Sequence, residues 1–223
     1  MKRLFIFIFP LISALVFAQK KELTEVSMDA LITETQFSSD SENRFEMIWW
    51  LPKIFWEISF SQDPSISEED IISIREMFEE YELFAVLNGK IGFFGGVTYQ
   101  TLEEILPKFS VSLNGVSFEN VDQSNISADL NNFLIVIKPM MANMMGPMGE
   151  NIHFIFMKPS GNNSGINPYS KQIVSLAMGD FKKEVELPLS SLLMEKKCSQ
   201  DGKLYNGKWN YCPIDGQPLI NQQ

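Results

Sequence analysis

An α+β fold, with antiparallel β-hairpins packed against two main amphipathic helices and a small C-terminal hairpin, is the class this sequence predicts. Three observations lead there. Alternating apolar segments are joined by Asn-Gly or Gly-Asp pairs at 88–89, 114–115 and 179–180, the chemistry of tight hairpin turns. Two longer segments, 68–81 and 128–145, repeat their apolar residues at helical spacing. Hydrophobic residues make up 45% of the chain and aromatic residues 12%, which favours a folded domain over a disordered one.

The chain opens with Met1-Lys2-Arg3, an apolar run over 4–18, and Val16-Phe17-Ala18. A short basic start, an apolar stretch too short to span a bilayer and a small-residue cleavage pattern predict a signal peptide at 1–18. The mature chain is then expected from Gln19 in the bacterial periplasm or outside the cell, with no transmembrane segment after cleavage. Removing Lys2 and Arg3 from 18 basic residues leaves 16 against 28 acidic ones. So acidic a protein repels phosphate backbones, so no nucleic-acid partner is expected.

Residues 19–44 read as a polar loop. After Pro52, Ile54, Trp56, Ile58 and Phe60 alternate with Lys53, Glu57 and Ser59, the pattern of a half-buried strand. Trp49, Trp50 and Trp56 are candidates for an aromatic contact platform, although core packing is the commoner fate of such residues. Ser67 and Asp70 form a capping box for a helix over 68–81, with Ile71, Ile74, Phe78 and Tyr81 inward. Residues 82–87, Asn88-Gly89 and 90–99 read as strand, type I′ turn and strand. Gly92, Gly95 and Gly96 belong to no phosphate-loop motif and are expected at bulges or close approaches. A helical turn at 102–106 precedes two more hairpins, 109–121 and 171–187.

Five methionines lie between 140 and 148. Leu130, Phe133, Leu134, Ile137, Met141, Met144, Met145 and Met148 trace one helical stripe, capped by Ser127 and kinked at Pro139. Core packing accounts for that stripe, and an adaptable apolar contact for a partner is the second reading. Met141/Met144 and Met145/Met148 also have a Cu(I)-like thioether spacing, with no histidine beside them. Because Ile135-Val136-Ile137 is β-branched, a strand over 133–138 leading into a Met-rich loop is the alternative.

The single histidine, His153, lies in an alternating segment (151–158) and reads as structural. None of the common nucleophile or metalloprotease motifs is present. Enzymatic activity is left open, and no catalytic residue is nominated. A polar cleft with two facing carboxylates would favour a carboxylate-dependent hydrolase, and a shallow apolar groove a binding protein.

Near the C-terminus the phrases "CSQDG" (198–202) and "YCPIDG" (211–216) repeat Cys-x-x-Asp-Gly. Over roughly the last 26 residues the chain resembles a zinc ribbon, with aspartate in place of each knuckle's second cysteine. The resemblance implies a metal set of Cys198, Asp201, Cys212 and Asp215, and knuckles that bring the two cysteines together. Structural zinc prefers Cys and His, and an exported pair of cysteines meets an oxidising compartment. A Cys198–Cys212 disulfide is therefore the favoured expectation, with zinc the alternative and otherwise no cofactor. Closing a loop of about 15 residues is worth about 3 kcal/mol in the chain-entropy model.

The expected organisation is a signal peptide at 1–18, an α+β domain over 19–195 and a knuckle hairpin over 196–223. The function expected first is an exported, non-catalytic binding protein of the cell envelope, taking a protein or apolar ligand. Candidate contacts are Trp49, Trp50, Trp56, Met141, Met144, Met145 and Met148. A carboxylate-dependent hydrolase and a periplasmic zinc or Cu(I) protein are the alternatives.

Overall fold

The computed structural model describes residues 18–39, 43–161 and 163–222. The expected leader at 1–18 lies outside these residues apart from Ala18. Two compact units are present: Lys21–Leu192, and a second in which the segment ending at Lys20 joins Leu193–Gln223.

The larger unit is α+β. It runs α1 (Met28–Thr35), β1 (Gln36–Ser38), β2 (Arg44–Leu51), α2 (Lys53–Ser61), α3 (Glu68–Met77), β3 (Glu82–Ile91) and β4 (Val97–Tyr99). Then come α4 (Leu102–Ile105), β5 (Phe109–Leu113), β6 (Val116–Val121), α5 (Ala128–Met144), β7 (His153–Pro159), β8 (Ile173–Met178) and β9 (Phe181–Glu186). The strands form one antiparallel sheet in the order β1-β2-β3-β7-β6-β5-β8-β9, with β4 paired to the end of β3. Central β3 and β7 read as continuous apolar runs because both their faces are covered. Edge strand β9 carries exposed Lys182, Lys183, Glu184 and Glu186, charges that discourage pairing with another chain.

Three segments depart from the expected elements. Residues 19–44, expected as a polar loop, hold α1 and β1, with Ser27 capping α1 through the Ala30 N–H. Residues 53–61 are helix, not strand. Pro52 supplies an extended N-cap, and Ile54, Phe55, Trp56 and Ile58 are all buried, so a helix buried on most sides mimicked alternation. The strand lies just before it, as β2. Asn88-Gly89 is not a turn but part of β3, facing Glu46 and Phe45 of β2. Asn88 donates to Glu46 Oε1 at 3.1 Å, and a side chain at 89 would meet Val97 Cγ1 at 2.9 Å. The turn lies further on, at 92–96, where Gly95 takes φ +83° and Gly92 N–H donates to Gly96 O at 2.7 Å.

Elsewhere local chemistry settles the structure. The Ser67/Asp70 capping box is formed at the start of α3. Asn114 and Gly115 take φ of +49° and +86°, as a type I′ turn requires. Ser127 caps α5 through the Leu130 N–H, and 133–138 is helix throughout. Three helices meet on an aromatic cluster: Trp56 stacks on Phe78 at 5.8 Å, and Phe133 meets both edge-on at 5.0 and 5.6 Å.

After α5 the chain folds back through a 3-10 segment over Gly146–Asn151. A Cβ at Gly149 would overlap the backbone of Ala142. Gly149→Ala is expected to cost about 1–3 kcal/mol by overpacking, read as a lowered midpoint in thermal unfolding followed by circular dichroism.

The smaller unit contains a three-stranded antiparallel sheet of β10 (Lys196–Cys198), β11 (Leu204–Tyr205) and β12 (Leu219–Asn221), with β10 central. Its apolar core among the described residues is Cys198, Cys212 and Leu219, with Tyr205 against them.

Candidate functional site

Three places carry groups that could serve a function. The first is the outer face of α5. Leu130, Leu134, Ile137 and Met141 point into the core, while Ile135, Val136, Met140 and Met144 remain 69%, 66%, 57% and 69% exposed. Val136, Met140 and Met144 follow one another at four-residue spacing, hence on one face. Lys138 beside them reaches over the Phe154 ring. A second exposed apolar pair, Phe93 and Phe94, sits at the β3–β4 turn, 98% and 97% exposed, ring edge to ring face at 5.2 Å.

This differs from the contact set expected from sequence. Trp49, Trp50, Trp56 and Met141 are buried, and Met145 and Met148 pack against the core. Met144 alone of that set stands outside, on the face that α5 shares with Val136 and Met140. The Met141/Met144 pair therefore points two ways, one thioether buried and the other exposed. Among the tryptophans, Trp50 donates its indole N–H to Glu82 at 2.9 Å.

The second place is a cleft of about 610 Å³ lined by Ile54, Glu57, Arg75, Phe78, Glu82 and Tyr169, among others. It holds two buried carboxylates that the sequence did not single out. Glu57 is clamped by Arg75, whose Nε and Nη2 reach Oε2 at 2.9 and 2.7 Å. Glu82 spends one oxygen on the Trp50 indole and the other on the Ile166 N–H, each at 2.9 Å. Burial pushes its pKa up to about 7, against the pull of those two donors and of Lys53. A perturbed carboxylate such as Glu82 marks many active sites, but here both carboxylates are engaged by the chain's own donors, so the two read as structural. His153 Nε2 likewise pairs with the Gln100 carbonyl at 3.0 Å.

The third place is the pair of knuckles in the smaller unit. Each is a tight turn of the same design. Gly202 N–H donates to Cys198 O at 3.0 Å and Gly216 N–H to Cys212 O at 2.9 Å. Both glycines take positive φ, +69° and +72°, which L-residues adopt reluctantly. Asp201 Oδ1 accepts from Lys203 N–H and Asp215 Oδ1 from Gln217 N–H, both at 2.9 Å. This repetition brings both cysteines inward, where they are buried with free thiols. The two cysteines lie 3.6 Å apart, well beyond the roughly 2.05 Å of a disulfide.

The knuckles diverge at their aspartates. Asp215 Oδ2 accepts from Cys198 Sγ at 3.3 Å, and ligand atoms of Cys198, Cys212 and Asp215 all lie within 4.8 Å of one another. Asp201 is not one of that group. Its Oδ2 accepts the Tyr205 hydroxyl at 2.6 Å, an interaction that lowers the Asp201 pKa and raises that of Tyr205. The Asp201 N–H draws the Cys198 thiol down, yet burial and the Asp215 and Cys212 side chains outweigh it, leaving a net upward shift. A Cys/Cys/Asp group of this kind is able in principle to hold a metal. Lys196, buried nearby on β10, satisfies its ammonium on Trp209 O and Asn210 Oδ1 at 2.9 and 3.1 Å, and burial lowers its pKa.

Among the described residues no helix is long and apolar enough to cross a membrane. Comparison with known protein families, with curated proteins and with solved structures finds no match.

Proposed function

We propose that this chain is an exported, non-catalytic binding protein whose larger unit docks a partner protein through the outer face of α5. The observation that carries this reading is the exposure of Ile135, Val136, Met140 and Met144 together on one helix. A helix needs only one apolar stripe to hold it to a core, and α5 already has one in Leu130, Leu134, Ile137 and Met141. A second apolar face costs solubility unless something covers it. Two of its members are methionines, whose flexible thioethers adapt to varied partner surfaces. Export is supported by the leader pattern at 1–18, and the formal net charge of −10 disfavours a nucleic-acid partner.

The hydrolase alternative draws less support, since Glu57 and Glu82 are both tied to the chain's own donors. A Val136→Glu, Met140→Glu double variant tests the binding reading. Both positions face solvent, so folding stability is expected to change by no more than about 0.5 kcal/mol. Affinity recovery from the exported fraction is expected to return a stoichiometric protein partner with the parent and to lose it with the variant. Equal recovery by both, or capture of lipid in place of protein, contradicts the proposal.

A further inference from the structure

We infer that Cys198, Cys212 and Asp215 form a three-ligand site for one divalent cation of the zinc class, with Asp201 outside the coordination sphere as the hydrogen-bond partner of Tyr205. The inference does not depend on the α5 surface. It begins with distances. A tetrahedral zinc ion bound to sulfur at about 2.3 Å and carboxylate oxygen at about 2.1 Å separates two sulfurs by about 3.8 Å and sulfur from oxygen by about 3.6 Å. The cysteines lie 3.6 Å apart, and Cys198 Sγ is 3.3 Å from Asp215 Oδ2. Two edges of the triad are thus within about 0.3 Å of those of a metal tetrahedron, and the third, from Cys212 to Asp215, is within 4.8 Å.

The surrounding bonds orient the ligands. Gly202 and Gly216 close the two turns, Gln217 N–H holds the non-ligating oxygen of Asp215 at 2.9 Å, and Gln200 N–H points at Cys198 Sγ at 3.4 Å. Such outer contacts fix a metal's ligands before it arrives. The donor set also chooses the cation. Two thiolates disfavour magnesium and calcium, which take oxygen ligands, and two sulfurs with one carboxylate oxygen are donors that zinc accepts. Asp201 departs from the four-ligand set that the sequence suggested because the Tyr205 hydroxyl occupies the oxygen equivalent to the one Asp215 presents. A physical need exists as well. A small unit whose apolar core among the described residues is Cys198, Cys212 and Leu219, with Tyr205 against them, gains stability from a metal cross-link.

The test uses the full chain, reduced, stripped by chelation and titrated with Co2+ and then Zn2+. One equivalent of Co2+ is expected to produce sulfur-to-cobalt charge-transfer absorption with the strong visible bands of a tetrahedral site, and Zn2+ to erase both. Cys212→Ser should remove most of the charge-transfer absorption. Asp215→Asn, which removes a ligand, should weaken binding by more than about 100-fold, whereas Asp201→Asn, touching only the outer shell, should weaken it by about 10-fold. The parent spectrum stands without any variant, so a misfolded mutant cannot decide the matter. Absence of cobalt absorption in the parent, or unchanged affinity in Asp215→Asn, overturns the inference. So does a native mass from the exported fraction that lacks metal and is two hydrogens light, the signature of a Cys198–Cys212 disulfide.

Discussion

Glu82→Gln is expected to abolish a loss of stability that the parent protein suffers between about pH 4.5 and pH 7. Glu82 is buried at the wall of the cleft, and its pKa rises from 4.5 in the unfolded chain to about 7 in the folded one, chiefly through burial. The folded state therefore binds the proton more tightly than the unfolded state does. Below the unfolded value both states are protonated and the group contributes nothing. As pH climbs through the window, the unfolded chain releases its proton first, and stability falls until the folded group has also ionised. A shift of that size corresponds to about 3 kcal/mol. Glutamine cannot ionise, so the variant's stability curve should lack this part of the parent's decline, and the difference between the two curves should shift by about 3 kcal/mol in the variant's favour as pH rises. It pays for this at acid pH by about 1 kcal/mol, because one of the Trp50 and Ile166 N–H groups loses its acceptor. Denaturant unfolding at pH 5, 6, 7 and 8 on both proteins isolates the effect, since every other titrating group is shared. Parallel curves refute the assignment.

Phe78→Ala should cost about 4 kcal/mol, the middle of the range for truncating a large aromatic residue in a core. Phe78 sits at the C-terminal end of α3, buried, stacked on Trp56 of α2 at 5.8 Å and meeting Phe133 of α5 edge-on at 5.6 Å. Beside the Arg75–Glu57 pair that ties α3 to α2, this ring packs α3 against both other helices, so its loss leaves a cavity bounded by two large neighbours. Urea unfolding of the variant measures the cost directly. A loss below about 1 kcal/mol would mean that α3 docks by other contacts.

Where local chemistry decides the structure, the sequence was legible. The Ser67/Asp70 box, the Asn114-Gly115 turn and the Ser127 cap each settle one backbone feature within four residues, and all three are present. Asn88-Gly89 carries the same local signal, yet pairing with β2 and the approach of Val97 and Tyr99 keep it extended. Tertiary packing outweighs a turn preference there. Residues 53–61 misled for a related reason: burial on nearly every side leaves no polar stripe to betray a helix.

The candidate sites divide in the same way. The repeated Cys-x-x-Asp-Gly phrase made both knuckles readable, because glycines at positive φ and Asx turns are local chemistry. The difference between Asp201 and Asp215 was not, since it depends on where the Tyr205 hydroxyl arrives. The outer face of α5 was hidden by its own composition. Ile135 and Val136 look like strand residues or core residues in a row, and only their projection away from the sheet reveals a surface. Glu57 and Glu82 stood among 28 acidic residues with nothing in their neighbours to mark them as buried.

The claim that α5 presents the binding surface is tested most directly by a photo-crosslinking scan in the producing cells. A photoreactive residue is placed in turn at 132, 136, 140 and 144 on α5, and at Glu76 on α3 as an exposed control. The expected result is one protein adduct at 136, 140 and 144, weaker at 132 and absent at 76. Adducts of equal yield at every position, or none along α5, would contradict it.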